Sequence, residues 1–79
     1  MTDALISEIE TLARRVRADL PPLEPHLRLV EDLRLDSIER LSLAVEIEDS
    51  FRIRLDDLDE GAIVTVAELL AVIQERAGR

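Results

Sequence analysis

"DLRLDSIERL", residues 32–41, sets an acid and a hydroxyl side by side where an apolar helical repeat begins. Asp36 and Ser37 both start helices well, yet a helix start needs only one cap. With Asp36 at the N-cap, Glu39 falls at N3, the spacing of a reciprocal capping box. With Ser37 at the N-cap, N3 becomes Arg40, which neither closes the box nor suits the positive end of the helix dipole. Asp36 is therefore the expected cap. Ser37 is left at N1, its hydroxyl free beside unpaired N–H groups that favour an anion such as a phosphate ester. Taken alone, a D-S pair at a helix start is most often capping and nothing more. Ser37 has no G-x-S-x-G setting to make it a hydrolase nucleophile, and the one histidine, His26, sits in a proline-rich loop.

The helix that follows runs from about 37 to 51. On a wheel of roughly 100° per residue, Leu43, Ala44, Ile47 and Phe51 share one stripe of ordinary core-facing width. Ile38, Leu41 and Val45 form a second stripe on the far side. Glu48 and Asp49 flank that second stripe, with Glu39 and Glu46 beyond. Two readings stay open here. The helix is wrapped by the bundle on both sides, or the second stripe with its acidic rim is a docking surface for an apolar groove with a basic edge.

Toward the N-terminus, residues 3–19 read as an amphipathic helix with Leu5, Ile9, Leu12, Val16 and Leu20 in register and Thr2 or Asp3 as the cap. Pro21 and Pro22 end it. Residues 21–35 connect the two helices. A connection of about 15 residues is long for so small a domain, and Leu23, Leu27, Leu29, Val30, Leu33 and Leu35 make it too apolar to hang free. Toward the C-terminus, "DDLDEGA" reads as a short helical turn begun by Asp56 or Asp57. A last helix starts at Thr65, whose spacing to Glu68 is again that of a capping box. Val66, Leu69, Leu70, Ile73 and Ala77 give it an apolar face, and Gly78 ends it. "RIRL" alternates but is short and has no partner strand. The expected fold is all-α: one domain over residues 1–79, a small bundle of three main helices and one short one, with a long loop after the first.

Composition limits the function. The 79 residues carry a net charge of −8 and no cysteine. The charge opposes binding to nucleic acid or to an anionic membrane surface and suits basic protein partners. Nine acids against three Arg in residues 36–60 leave that stretch at −6, most of the total. Without cysteine there is no disulfide and no thiolate chemistry of the chain's own, so any thiol it uses must be attached to it. The acids at 56–60 lack calcium-loop spacing, and no metal is expected. The first ten residues lack the basic start of a signal peptide. No stretch approaches the length of a membrane span, so a cytoplasmic location is the default; Met1 and the compact ends suggest a free-standing protein, and a monomer is expected.

"DLRLDSIERL" resembles the modification motif of acyl carrier proteins, usually D-L-G-x-D-S-L, through Asp32, Leu33, Asp36, Ser37 and Ile38. The likeness extends through "VEIEDSFRIRLDDLDEGAIVTVAELLAVI", where Glu46, Phe51, Leu55, Asp57, Ile63, Thr65 and Val66 stand at positions typical of that family. Length, acidity and helix order agree. The resemblance implies that Ser37 receives a 4′-phosphopantetheine arm from coenzyme A, through a phosphopantetheinyl transferase that needs a divalent cation, with Asp36 assisting. It implies a thioester carrier and not an enzyme. The second helix, through Ile38, Glu39, Leu41, Val45, Glu46, Glu48 and Asp49, would then meet acyl-transferring and chain-elongating enzymes with basic docking patches. Arg34 stands where the motif usually has Gly, and Leu35 where a small residue is common. Arg40 and Ser42 alter the second helix, Arg52 and Arg54 add positive charge after it, and Asp56 replaces a usual Pro. These departures leave open a fatty-acid carrier or a dedicated carrier for a polyketide or specialised-lipid pathway. An aminoacyl or peptidyl carrier, or an unmodified helical interaction module, are the remaining readings.

Overall fold

A computed structural model describes residues 2–55 and 61–78, with the side chains of Thr2 and Asp3 outside the description. Three helices are present among these residues: α1, Thr2–Val16; α2, Ser37–Phe51; and α3, Val66–Ala77. The short helical turn expected at 56–60 lies outside the described residues, as does the choice of cap for α1.

α2 and α3 begin and end as their sequences direct. Asp36 caps α2 and Thr65 caps α3, each closing a full capping box with the glutamate three residues on. Gly78 ends α3 in the left-handed conformation that glycine enters freely. Arg52 ends α2 in the same conformation, at φ 57°, where an L side chain is strained. α1 stops at Val16, three residues short of the expected Asp19. Its ladder closes with Arg17 N–H on the Ala13 carbonyl, and the chain then turns. The Arg17 side chain, just past this end, reaches across to the start of α2.

Among the described residues the buried core is wholly aliphatic. Leu5, Ile9, Leu12 and Ala13 from α1 meet Leu43, Ala44 and Ile47 from α2 and Val66, Leu69, Leu70 and Ile73 from α3, with no polar residue buried among them. Phe51, the one aromatic, packs half-buried at its edge. Each fully buried aliphatic contributes about 1.5–3 kcal/mol of transfer free energy, so the bundle depends on these side chains.

The long connection is part of the bundle. Leu20, Leu23, Leu29, Leu33 and Leu35 are buried, while Val30 is exposed, contrary to the expectation that the loop's apolar residues pack together. The loop backbone also pairs with the start of α3. Leu29 N–H donates to the Val64 carbonyl at 2.8 Å, and the N–H groups of Val66 and Ala67 donate to the carbonyls of Leu27 and Pro25, both at 2.9 Å. Arg28 and Thr65 form an isolated antiparallel bridge. Glu68 N–H donates to Thr65 Oγ1 at 3.1 Å. The chain itself thus takes up every N–H of α3's first turn. "RIRL" forms no strand.

The sequence departs from the carrier motif at Arg34, and the backbone shows why glycine is usual there: φ is +60°. A left-handed residue with a Cβ carries a steric cost of about 1–2 kcal/mol, part of which glycine would return as unfolded-state entropy. Arg34→Gly is therefore expected to stabilise the fold by roughly 0.5–1 kcal/mol, read as a higher urea midpoint at unchanged slope.

Candidate functional site at the start of helix α2

The site is built on the contrast between two helix starts. In α3 the first-turn N–H groups are all taken by the chain. In α2, Asp36 Oδ1 accepts from Glu39 N–H at 2.7 Å and the Asp36 carbonyl from Arg40 N–H at 2.9 Å. The N–H groups of Ser37 and Ile38 find no acceptor among the described residues. Ser37 is exposed at N1, and its hydroxyl makes no hydrogen bond among those residues. The sequence expectation about capping therefore holds: Asp36 does the structural work and Ser37 is spared. An electrophile or anion approaching α2 meets an unengaged oxygen, two open N–H donors and the positive end of the helix dipole.

Residues that sequence reasoning passed over hold this start in place. Arg17, just beyond α1, spreads its guanidinium over four hydrogen bonds. Nε and Nη2 grip both oxygens of Glu39 at 3.1 and 2.7 Å, Nη1 donates to the Leu33 carbonyl at 2.8 Å, and Nη2 to the Arg34 carbonyl at 2.5 Å. Arg40 Nη1 takes the next carbonyl, Leu35, at 3.0 Å. Three consecutive carbonyls before the cap are thus fixed by arginines. Glu39 Oε1 also accepts the Asp36 N–H at 3.0 Å. The signal for Arg17 in the sequence was faint: a charged residue between Val16 and Leu20 of the apolar repeat, with no oppositely charged residue three or four positions away.

The second apolar stripe of α2 lies outside the bundle. Leu43, Ala44 and Ile47 are buried, whereas Ile38, Leu41 and Val45 are 74%, 48% and 53% exposed. Among the described residues no element covers this stripe, which favours the docking-surface reading over a helix wrapped on both sides. Beyond Val45 the face runs into a shallow open depression lined by Val45, Glu48, Asp49, Ile53 and Arg54.

The acids around this face have different fates. Glu39 is bound to Arg17 and the cap. Glu46 pairs with Arg15 of α1 at 3.4 Å. Glu48 accepts the Leu55 N–H at 2.6 Å and so ties down the segment after the helix. Asp49 is exposed and keeps its carboxylate unpaired among the described residues. The Arg17 guanidinium, with help from the Asp36 N–H, holds the Glu39 carboxyl below the usual glutamate range. Arg28 does the same for Asp32, and the N–H groups of Thr65 and Val64 for Glu68. His26 is exposed in its loop and is remote in sequence from this helix start.

Comparison with curated proteins places the likeness. The chain is 23% identical to an acyl carrier protein of Thermotoga maritima over 77 residues, covering 96% of this chain and 95% of that one. It is 26% identical to an acyl carrier protein of Exiguobacterium sp. over 72 residues, 91% of each. It is 28% identical to one of Helicobacter hepaticus, over 91% of this chain and 95% of that one. No protein-family model matches. The resemblance to acyl carrier proteins seen in the sequence therefore holds over nearly the whole chain, and the all-helical architecture agrees with it. No helix among the described residues is long and apolar enough to cross a membrane.

The lowered Glu39 pKa has a definite sign for stability. The folded chain keeps Glu39 ionised to lower pH than the unfolded chain does, so unfolding takes up a proton in acid. Its contribution is complete above the ordinary value of 4.5 and is lost as the pH falls through the depressed one. Glu39→Gln keeps an oxygen for the cap and loses the ion pair. The variant is expected to have a lower urea midpoint than the unchanged chain at pH 7, the difference shrinking as the pH falls below 4.5 through the lowered Glu39 value.

Proposed function

We propose that this chain is a single-domain acyl carrier protein. It would bear a 4′-phosphopantetheine arm on Ser37 and deliver acyl thioesters to biosynthetic enzymes. The observation that supports this best is the unengaged Ser37 hydroxyl beside open N–H groups, in a chain that resembles acyl carrier proteins from end to end.

The residues present suit the arm. Ser37 Oγ would attack the pyrophosphate of coenzyme A at the phosphorus nearer the pantetheine. A new P–O bond forms, the old one breaks, adenosine 3′,5′-bisphosphate leaves, and the hydroxyl proton passes to a base on the transferase. The N–H groups of Ser37 and Ile38 and the α2 dipole favour the resulting phosphodiester. Asp36 is engaged in the capping box through Oδ1, and its other carboxylate oxygen would be available to a divalent cation brought by the transferase. Once attached, the arm supplies the thiol that carries acyl groups. The chain performs no catalysis; it raises the local concentration of cargo at successive active sites.

Ile38, Leu41 and Val45 would form the apolar centre of the docking face. Glu39, Glu46, Glu48 and Asp49 lie around it, and the enzymes addressed would carry basic edges. The cargo belongs to fatty-acid, polyketide or specialised-lipid synthesis, and the cytoplasm is the expected compartment.

Two measurements test the reading. Incubation with coenzyme A, Mg²⁺ and a broad-specificity phosphopantetheinyl transferase is expected to give one adduct by intact mass, absent in Ser37→Ala and retained in Ser42→Ala and Ser50→Ala. A chain left bare under these conditions would overturn the proposal. Val45→Asp is expected to shift stability by no more than about 0.5 kcal/mol, against about 2–5 kcal/mol for Ile47→Ala. The same Val45→Asp change should weaken turnover by any enzyme that accepts the loaded chain.

A further inference from the structure

The peptide carbonyls of residues 33–35 belong to no helix or sheet, yet each has a charged donor. Arg17 takes Leu33 and Arg34, and Arg40 takes Leu35. The middle residue, Arg34, is the one held at φ +60°. Arg17 also grips both Glu39 oxygens, and Glu39 Oε1 in turn holds the Asp36 N–H. A continuous path of charge-assisted bonds therefore runs from the end of α1, through Arg17 and Glu39, to the backbone one residue before Ser37.

We infer that Arg17 is a positioning residue for modification at Ser37. Resting on the carrier reading above, this assigns to the end of α1 the task of fixing where the Ser37 oxygen sits. Arg17 does not touch the reacting atoms. It holds a strained turn and the cap that follows, so that the hydroxyl is presented in one orientation. The planar fork matters as much as the charge, because one guanidinium must span two carbonyls and a carboxylate. A lysine ammonium has the charge but not that reach in fixed geometry.

The test compares Arg17→Ala, Arg17→Gln and Arg17→Lys with the unchanged chain, using coenzyme A, Mg²⁺ and a broad-specificity transferase at a temperature where each variant keeps its helical circular dichroism. The core variant Ile73→Val, lowered in stability but remote from the site, serves as control. All three Arg17 variants are expected to lose on the order of tenfold in kcat. KM for the carrier, which the α2 face governs, should change less than twofold, and Ile73→Val should keep both constants. Amide resonances of Asp36, Ser37 and Glu39 should shift or broaden in Arg17→Lys while those of α3 stay in place. An unchanged kcat in Arg17→Lys, or a loss in Ile73→Val as large as in the Arg17 variants, would overturn the inference. Were Arg17→Ala to fail to fold, the Lys and Gln variants still decide. A bare unchanged chain would defeat the carrier proposal instead, so the two failures are distinguishable.

Discussion

The Arg17 guanidinium is the point on which the arrangement of this small bundle turns. An exposed ion pair between two long side chains is ordinarily a weak contact. This one differs in form: it is bidentate to Glu39, and the same group holds two backbone carbonyls. Charge-assisted and forked bonds of this kind combine strength with direction. They join the end of α1 to the turn at Arg34 and to the capping glutamate of α2. Glu39 belongs at once to the ion pair and to the capping box, so the geometry of the helix start and the joining of two helices cannot be separated.

That joining leaves α2 with two unlike faces. One meets α1 and the core through Leu43, Ala44 and Ile47. The other presents Ile38, Leu41 and Val45 to solvent. Three large aliphatics on one exposed helix face lie outside the buried core of the described residues. The chain also treats its helix starts unequally. The loop backbone and Thr65 use up the donors of α3, while the Ser37 and Ile38 N–H groups of α2 find no acceptor among the described residues. Spare apolar surface and spare hydrogen-bonding capacity are thus found on the same helix.

Much of this was legible in the sequence because the signals were local. The two capping boxes follow from residues three apart, Asp36 with Glu39 and Thr65 with Glu68, and the helical period separated the two stripes of α2 correctly. What the sequence did not reveal depends on contacts between distant segments. Arg17 lies 22 positions from Glu39, and no spacing rule links them. The pairing of residues 25–29 with the start of α3 is set by how the loop crosses the bundle. The early end of α1 coincides with the residue whose side chain crosses to α2, a contact no local rule predicts. Val30 was misplaced for the same reason: in a loop without a period, apolar character alone does not say which side chain faces inward.

The acids of α2 show how composition and structure divide the electrostatics. The net charge of −8 gives the chain a field that acts over a Debye length of about 8 Å in physiological salt and draws basic surfaces toward it. At close range the picture is narrower. Glu39 and Glu46 face arginines of their own chain, and Glu48 holds the Leu55 amide, so these three already serve the fold. Asp49 alone of the four is unpaired among the described residues, at the edge of the apolar face. On the carrier reading, approach would be steered by the whole negative field, while the seated complex would rest mainly on Ile38, Leu41 and Val45. That division suits a protein that must meet many enzymes and leave each one, because steering quickens encounter without tightening what is held.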